Sequence, residues 1–287
     1  MQSRNEMEAS RTIPSKQAPV QARRFAPAQP IYAKVLPLEA EAELTQSICS
    51  CSACSACPAY ELNLCAAARK KAEWEPGGQP EAPIPVSTVH TIPARRMICH
   101  PKEWSEFVPI ICNGWAAASV TLPDGRQQIL SFLLPGDFVS TALLLEPMPG
   151  HSVEAITEVT YRKFKRSDIK ANLLAYSDLL ERLAKIWNEE RTQADQLALA
   201  LGRRTADERI ARLILNLADK LAKRGMTTGQ TMEFPLRQRH IADATGLTPV
   251  HVSKVLGEFQ RAGLIEIGER LLTIVNETEL RRAAEWR

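Results

Sequence analysis

Residues 237–263 read RQRHIADATGLTPVHVSKVLGEFQRAG and predict two short helices joined by a tight turn. The first helix is expected at about Arg237–Ala244, because Gly246 just after it can adopt the left-handed conformation that ends a helix. Thr248 then offers a hydroxyl cap, and Pro249 suits the first position of the second helix, where its missing N–H costs nothing. This pattern is typical of a helix-turn-helix.

The second helix has an apolar face and a polar face. Its apolar residues recur at three- and four-residue spacing and predict the buried side: Val252, Val255, Leu256 and Phe259. The opposite side carries small, polar and cationic groups, which suit the DNA major groove, so we favour DNA recognition over a surface pair of helices. The predicted DNA contacts are Val250, His251, Ser253 and Lys254 on this helix, Thr248 at its start, and Arg237 as a phosphate contact.

Both flanks of this segment agree with a winged helix-turn-helix. Downstream, the apolar runs 264–267 and 271–274 enclose Gly268-Glu269-Arg270 and predict a β-hairpin, the wing. Upstream, Asp207–Lys223 predicts an amphipathic helix. Residues 203–287 contain 15 Lys/Arg and 11 Asp/Glu, a net charge of +4 that suits contacts with DNA phosphates.

Three strings in this region resemble the Crp/Fnr family of bacterial transcription regulators: TADERIARLILNLADKLAKRG at 205–225, IADATGLTPVHVSKVLGEFQRAGLIEI at 241–267 and LTI at 272–274. The resemblance covers roughly residues 49–280. It implies a sequence-specific regulator that binds twofold sites on double-stranded DNA as a homodimer, with RNA polymerase as a partner.

The recognition helix departs from the family at one position. Many members carry Glu, Ser and Arg where this chain has Val250, Ser253 and Lys254. Val250 cannot accept a hydrogen bond from cytosine, as the Glu does, but it can pack on a thymine methyl group. Lys254 can reach guanine without the planar fork of Arg. We therefore expect half-sites that differ from the Fnr type at the base read by the missing acid.

The length and composition of the chain indicate a globular protein with two domains. The chain has 287 residues, of which 45% are hydrophobic and 24% charged. It has no run of about 18 apolar residues and no apolar signal core, so we expect a cytoplasmic protein without a membrane association. It has no nucleophile elbow, P-loop or His-Glu-x-x-His pattern, so we expect that it is not an enzyme.

We predict an α+β fold, in which an N-terminal antiparallel β-roll sensor of the cupin or cyclic-nucleotide-binding type is followed by a long helix and a C-terminal winged helix-turn-helix. The predicted parts are a disordered extension at 1–47, a cysteine-rich segment and linker at 48–90, the β-roll at 91–170, a dimerisation helix at 171–203 and the DNA-binding domain at 204–287. In the β-roll, short apolar segments alternate with Gly-containing turns. The strand candidates are Ile110-Ile111, Ala116–Thr121, Gln128–Leu133 and Glu154–Phe164.

A long helix is expected from about Asp178 to Leu201. Residues on one of its faces form a stripe at three- and four-residue spacing: Leu179, Leu183, Ile186, Glu190, Gln193, Leu197 and Leu201. The stripe suits either packing on the barrel or a dimer seam. We favour the seam, because Glu190 and Gln193 would be costly in a core, and because the resembled family is dimeric.

Five of the seven cysteines lie within residues 49–65, CSCSACSACPAYELNLC, at Cys49, Cys51, Cys54, Cys57 and Cys65. In a reducing compartment such a cluster indicates metal binding or redox sensing rather than disulfides. Four cysteine thiolates can hold an iron–sulfur cluster or a zinc ion.

The spacing Cys54-x₂-Cys57-x₇-Cys65 resembles the ligand motif of oxygen-sensing Fnr-type regulators, which hold a [4Fe–4S] cluster. The position that matches their fourth ligand is Arg162, so the fourth sulfur would have to come from Cys51, Cys99 or Cys112. The alternatives are zinc binding, thiol redox chemistry or a sensor that has lost its ligand. Cys99 and Cys112 taken alone are typical of small core residues.

The loop PGDFVSTALLLEPMPGHSVEAIT, residues 135–157, departs from the cyclic-nucleotide pattern. It has no Gly-Glu-Leu, and His151-Ser152 replaces the Arg-Ser pair that neutralises the phosphate, so we expect no cAMP binding. A haem ligand from His90, His100 or His151 is a lesser alternative. A non-DNA-binding iron–sulfur redox protein is the alternative of a different class.

Overall fold

The computed structural model describes residues 87–284, and this range begins with a β-roll of seven antiparallel strands. The strands are β1 Ser87–Ile92, β2 Met97–Cys99, β3 Phe107–Asn113, β4 Ala116–Thr121, β5 Gln127–Leu133, β6 Ser152–Ala155 and β7 Val159–Lys165. They form two sheets, ordered β1-β7-β3 and β2-β6-β4-β5. The expected antiparallel β-roll is confirmed, although β1 begins at Ser87, inside the segment predicted to be a linker.

The strand predicted at Glu154–Phe164 is in fact two strands in different sheets, because β6 pairs with β4 whereas β7 pairs with β1 and β3. Between them, Thr157 Oγ1 accepts a hydrogen bond from the Trp115 N–H at 2.9 Å. Gly114 has a φ of +83°, and a Cβ there would lie 2.0 Å from the Glu158 carbonyl oxygen. The chain crosses between sheets at this crowded point, and only the tertiary structure reveals that contact.

Two helices follow the β-roll, α1 Arg166–Ala175 and α2 Ser177–Arg203. The second confirms the expected long helix, and the first was not expected. They are separated by Tyr176, whose φ of −129° and ψ of 106° interrupt the helical backbone. None of the helices within residues 87–284 combines the length and the apolar composition that a bilayer crossing requires.

The first turns of α2 pack on the β-roll. Leu179 and Leu183 are at most 1% exposed and lie in a buried cluster with Val108 and Phe164, and Ile186 packs partly against the same cluster. Leu179 and Leu183 are therefore core residues within one chain, and their assignment to a dimer seam was wrong. Among the other seam candidates, Glu190 and Gln193 are exposed, and Leu197 and Leu201 are half-buried.

The C-terminal unit is a winged helix-turn-helix. It consists of α3 Ala206–Lys223, β8 Thr227–Thr228, β9 Thr231–Glu233, α4 Gln238–Thr245, α5 Pro249–Arg261, β10 Ile265–Gly268, β11 Leu271–Ile274 and α6 Glu277–Ala284. A capping box begins α3, since Glu208 N–H donates to Thr205 Oγ1 and Thr205 N–H donates to Glu208 Oε2. The predicted wing is β10 and β11, which join β8 and β9 in one sheet.

One buried cluster extends from the β-roll into the C-terminal unit. Trp115 and Phe132 of the β-roll belong to the same cluster as Ile214 of α3 and Ile241 of α4. A polar contact lies nearby, where Gln128 Nε2 donates to the carbonyl oxygen of Ala244 at 3.2 Å. The two units therefore share an apolar contact.

Candidate nucleic-acid interface

The turn between α4 and α5 has the caps that the sequence predicted. Gly246 ends α4 with a φ of +68°, in the left-handed region. Thr248 Oγ1 accepts a hydrogen bond from the His251 N–H at 3.2 Å and thereby caps α5. The first helix spans Gln238–Thr245, one residue later than expected, and Arg237 is its N-cap residue.

The inner face of α5 is anchored in the core of the C-terminal unit. Val252 and Val255 are at most 1% exposed, and Leu256 and Phe259 are also buried, all within the cluster that contains α3 and α4. Removing this face from water stabilises the unit, because each buried aliphatic side chain contributes about 1.5–3 kcal/mol. The anchored face leaves the opposite side of the helix exposed.

The outer face of α5 presents the predicted base-reading groups. Val250 is 80% exposed, and the Lys254 side chain is 71% exposed, with its Nζ 4.0 Å from Glu258 Oε1. An ion pair of that length on a surface is weak, so the lysine can reach toward a base. All six predicted DNA contacts are exposed: Arg237, Thr248, Val250, His251, Ser253 and Lys254.

Two further exposed cations lie in the C-terminal unit and were not predicted as contacts. Arg239, in the first turn of α4, is 74% exposed and lies 3.5 Å from Asp243. Arg270 lies at the tip of the wing, where Glu269 and Arg270 have φ values of +49° and +65° in a two-residue turn. Arginine is a common phosphate contact in protein–DNA complexes, so a cation at the start of a helix or in a hairpin turn could have been proposed from the sequence.

His240 helps to fix the start of α4. Its Nδ1 accepts a hydrogen bond from the Arg237 N–H at 3.2 Å, which requires that nitrogen to be unprotonated. Burial lowers the pKa of His240, and the positive charge of Arg237 lowers it further. The histidine therefore serves as a neutral acceptor in the cap.

The predicted sulfur ligands lie mostly outside the described residues, which include Cys99 and Cys112 but not Cys51, Cys54, Cys57 or Cys65. Cys99 is buried in the β-roll. Its burial, followed by the charge of Glu103, raises the pKa of the Cys99 thiol to about 11. No group of three or more candidate metal ligands occurs within residues 87–284. Arg162, at the position of the family's fourth ligand, donates from Nη1 to Ser87 Oγ at 3.1 Å.

His151 and Ser152, which replace the family's phosphate-binding pair, are both engaged within the β-roll. Ser152 Oγ donates to the Ser119 carbonyl oxygen at 2.9 Å. Burial lowers the pKa of His151, so this ring favours the neutral form and is poorly suited to neutralising a phosphate.

The chain is similar to known regulators in both of its units. A model of the Crp-like helix-turn-helix domain matches residues 208–283, and a model of the cyclic nucleotide-binding domain matches residues 89–176. The transcriptional activatory protein AadR of Rhodopseudomonas palustris is 34% identical over 170 residues, 58% of this chain and 68% of AadR. The transcriptional activator protein FnrL of Cereibacter sphaeroides is 30% identical over 180 residues, 60% of this chain and 70% of FnrL.

Among solved structures, FixK2 from Bradyrhizobium japonicum superimposes with a TM-score of 0.64 at 27% identity, covering 70% of this chain and 99% of FixK2. A β-roll joined through a long helix to a winged helix-turn-helix with an exposed polar recognition face defines a DNA-binding transcription regulator rather than an enzyme. The two family models together match both units, and this chain covers more than two thirds of AadR and of FnrL. The chain belongs to the Crp/Fnr family.

Proposed function

We propose that this regulator activates transcription from twofold DNA sites, which it binds as a homodimer, and that its activity follows oxygen or redox state. DNA recognition is supported by one observation: the outer face of α5 is exposed, whereas its inner face is buried. The names of AadR and FnrL support activation. We further propose that the regulator acts in the cytoplasm, with RNA polymerase as its partner.

The operator is tested by selecting duplexes from a random pool with the full-length protein. We expect an inverted repeat, because two recognition helices related by a twofold axis read two half-sites. We also expect the base pair opposite Val250 to differ from the Fnr-type half-site, since a valine favours contact with a thymine methyl group. Recovery of the usual Fnr half-site would show that a different face of α5 reads the bases.

The proposed dimer seam lies on α2, on a face adjacent to the stripe that packs on the β-roll. Leu180 is 55% exposed, and Ala184, Ala194 and Ala198 are exposed as well. Together with Arg191 and Trp187 they form two series with seven-residue spacing, Leu180-Trp187-Ala194 and Ala184-Arg191-Ala198. Trp187 is half-buried and also packs partly against the β-roll cluster, so it lies at the edge of the proposed seam. A seven-residue repeat of this kind keeps one seam facing a partner helix.

For the signal, we propose a [4Fe–4S] cluster held by Cys54, Cys57 and Cys65, with Cys51 as the fourth ligand. The spacing of these cysteines supports it. Cys51 is preferred to Cys99 because it lies three residues before Cys54 in the sequence, whereas Cys99 is buried in the β-roll. When bound, the cluster would supply sensitivity to oxygen.

The cluster is tested by anaerobic purification followed by a visible absorption spectrum and analysis of iron, sulfide and zinc. Replacing Cys54, Cys57 or Cys65 with Ser should abolish the cluster absorbance together with oxygen-dependent DNA binding, and Cys49→Ser should be milder. Cys99→Ser is the matched control and should retain the absorbance. A preparation without iron contradicts the cluster, and zinc in its place would indicate a zinc site.

A further inference from the structure

A buried ion cluster connects the β-roll to α3. Asp137, in the turn after β5, lies 2.6 Å from Lys220 Nζ through Oδ2 and 2.6 Å from Arg224 Nη2 through Oδ1. The side chains of Asp137 and Arg224 are only 14% and 10% exposed. We call these three residues, Asp137, Lys220 and Arg224, the interdomain clamp.

The turn that carries Asp137 holds its carboxylate in place. The Leu134 N–H donates to Asp137 Oδ2 at 2.8 Å, and Arg224 Nη1 donates to the Pro135 carbonyl oxygen at 2.7 Å. Burial alone would raise the pKa of Asp137, but the charges of Lys220 and Arg224 and their hydrogen bonds outweigh burial and lower that pKa. The carboxylate is therefore ionised and satisfied by donors from both units.

The same loop also contacts the long helix α2. Thr141 Oγ1 donates to Glu190 Oε2 at 2.5 Å. Although Glu190 as a whole is exposed, desolvation of its carboxylate raises the pKa of that group. Residues 134–141 thus contact α2 through Thr141 and α3 through Asp137, and they form the junction of the sensor, the long helix and the DNA-binding unit.

The clamp differs in kind from the apolar contact that also joins the two units. Burial of apolar surface is non-directional, so it permits sliding, whereas charge-assisted hydrogen bonds fix a geometry. In the clamped arrangement the recognition face is open, as the exposure of Val250 and Lys254 shows. The clamped arrangement is therefore compatible with DNA binding.

We propose that the interdomain clamp sets the orientation of the winged helix-turn-helix on the β-roll. Asp137 is thereby a positioning residue, which holds the recognition helix of each subunit where both half-sites can be bound together. This inference rests on the proposed homodimer. A dimer gains affinity from its second half-site only when both recognition helices are held at the spacing of the operator.

The experiment compares the affinities of the full-length protein for two duplexes, the selected inverted repeat and the same duplex with one half-site scrambled. Asp137→Asn keeps an acceptor for the Leu134 N–H but removes the charge that holds Lys220 and Arg224. We measure the ratio of the affinity for the inverted repeat to the affinity for the single half-site. In Asp137→Asn we expect this ratio to fall by about five- to tenfold, while the affinity for the single half-site stays the same. Asp124→Asn is the matched control, because Asp124 pairs with Arg126 at the surface of the same β-roll, and its ratio should equal that of the wild type.

The outcomes separate the two proposals. A wild-type protein that gains nothing from the second half-site contradicts the homodimer. A wild-type protein that does gain, with an equal or higher ratio in Asp137→Asn, overturns the clamp. Should Asp137→Asn fail to fold, Lys220→Gln removes the more exposed arm, whose side chain is 24% exposed, and must lower the same ratio to a smaller extent. An unchanged ratio in that variant also overturns the clamp.

Discussion

The recognition helix α5 and the loop at 134–141 use their polar groups in opposite ways. On α5, the polar side chains point outward from a buried apolar face, and the helix alone determines which residues are presented. In the loop, Asp137 points inward and pairs with two cations that are more than 80 residues away in the chain. A reading surface can therefore be built locally, whereas a positioning contact depends on how two units pack.

The largest effect is expected when the same charge is placed on the buried and on the exposed face of α5. Val252→Asp puts a carboxylate at a fully buried position, where nothing compensates it, and should lower the free energy of unfolding by about 3–5 kcal/mol. Val250→Asp is the control at an 80% exposed position and should change stability by at most about 0.5 kcal/mol. Chemical denaturation followed by circular dichroism measures both. Equal losses would mean that the two faces are not distinct.

In the loop, Asp137→Asn should lower the free energy of unfolding at neutral pH by about 2–3 kcal/mol, because it leaves two partly buried cations without their counter-charge. The surface substitution Asp124→Asn provides the comparison. If both variants unfolded at the same denaturant concentration as the wild type, the buried pairing would contribute no stability.

The same substitution has a pH signature. Asp137 has a pKa that folding lowers from 3.8, so its contribution to stability is present above that value and is lost as the pH falls through the lower folded pKa. The stability difference between wild type and Asp137→Asn should therefore shrink on acidification, and unfolding curves from neutral to acid pH measure it. A difference that grows in acid would contradict an ionised, paired carboxylate.

On the outer face of α5, Lys254→Ala should weaken operator binding by about 1–3 kcal/mol and relax the preference at one base pair. The control is Lys185→Ala, because Lys185 lies on α2 with a similarly exposed side chain. Arg239→Ala should instead weaken all duplexes alike, as expected for a phosphate contact. Titrations against the operator and its single-base variants distinguish these results, and an unchanged preference in Lys254→Ala would assign base reading to other residues.

A smaller effect is expected at the proposed seam. Leu180→Glu should weaken the dimer by about tenfold, because it brings two like charges together across the seam. Leu174→Glu is the control, since Leu174 is 89% exposed on α1 and lies outside the seven-residue series. Sedimentation at several concentrations measures both dissociation constants. A dimer that weakens equally in both variants would place the contact elsewhere.

The sequence alone predicted much of the fold, including the helix-turn-helix, the wing, the long helix and the antiparallel β-roll. It failed where a boundary depends on distant groups. The crossing at Thr157 depends on Trp115 and on the close approach of Gly114, and no local pattern marks it. Leu179 and Leu183 have the spacing of either a core or a seam, and only the packing of α2 on the β-roll distinguishes the two.

The functional residues also fall into two groups, those that the sequence predicted and those that only the structure revealed. Gly246, Thr248 and the alternation of buried and exposed positions on α5 follow from hydrogen bonds and faces within a few residues, so the amino-acid sequence determined the reading surface by itself. The interdomain clamp was decided by the tertiary structure. Asp137 belongs to a common turn sequence, and only the docking of α3 on the β-roll brings Lys220 and Arg224 within 2.6 Å of it. The favourable energy of such a contact comes from the attraction between opposite charges in a site with little water, and this attraction must exceed the cost of desolvating them. Both depend on the packing of whole units, which leaves no periodic pattern in the sequence.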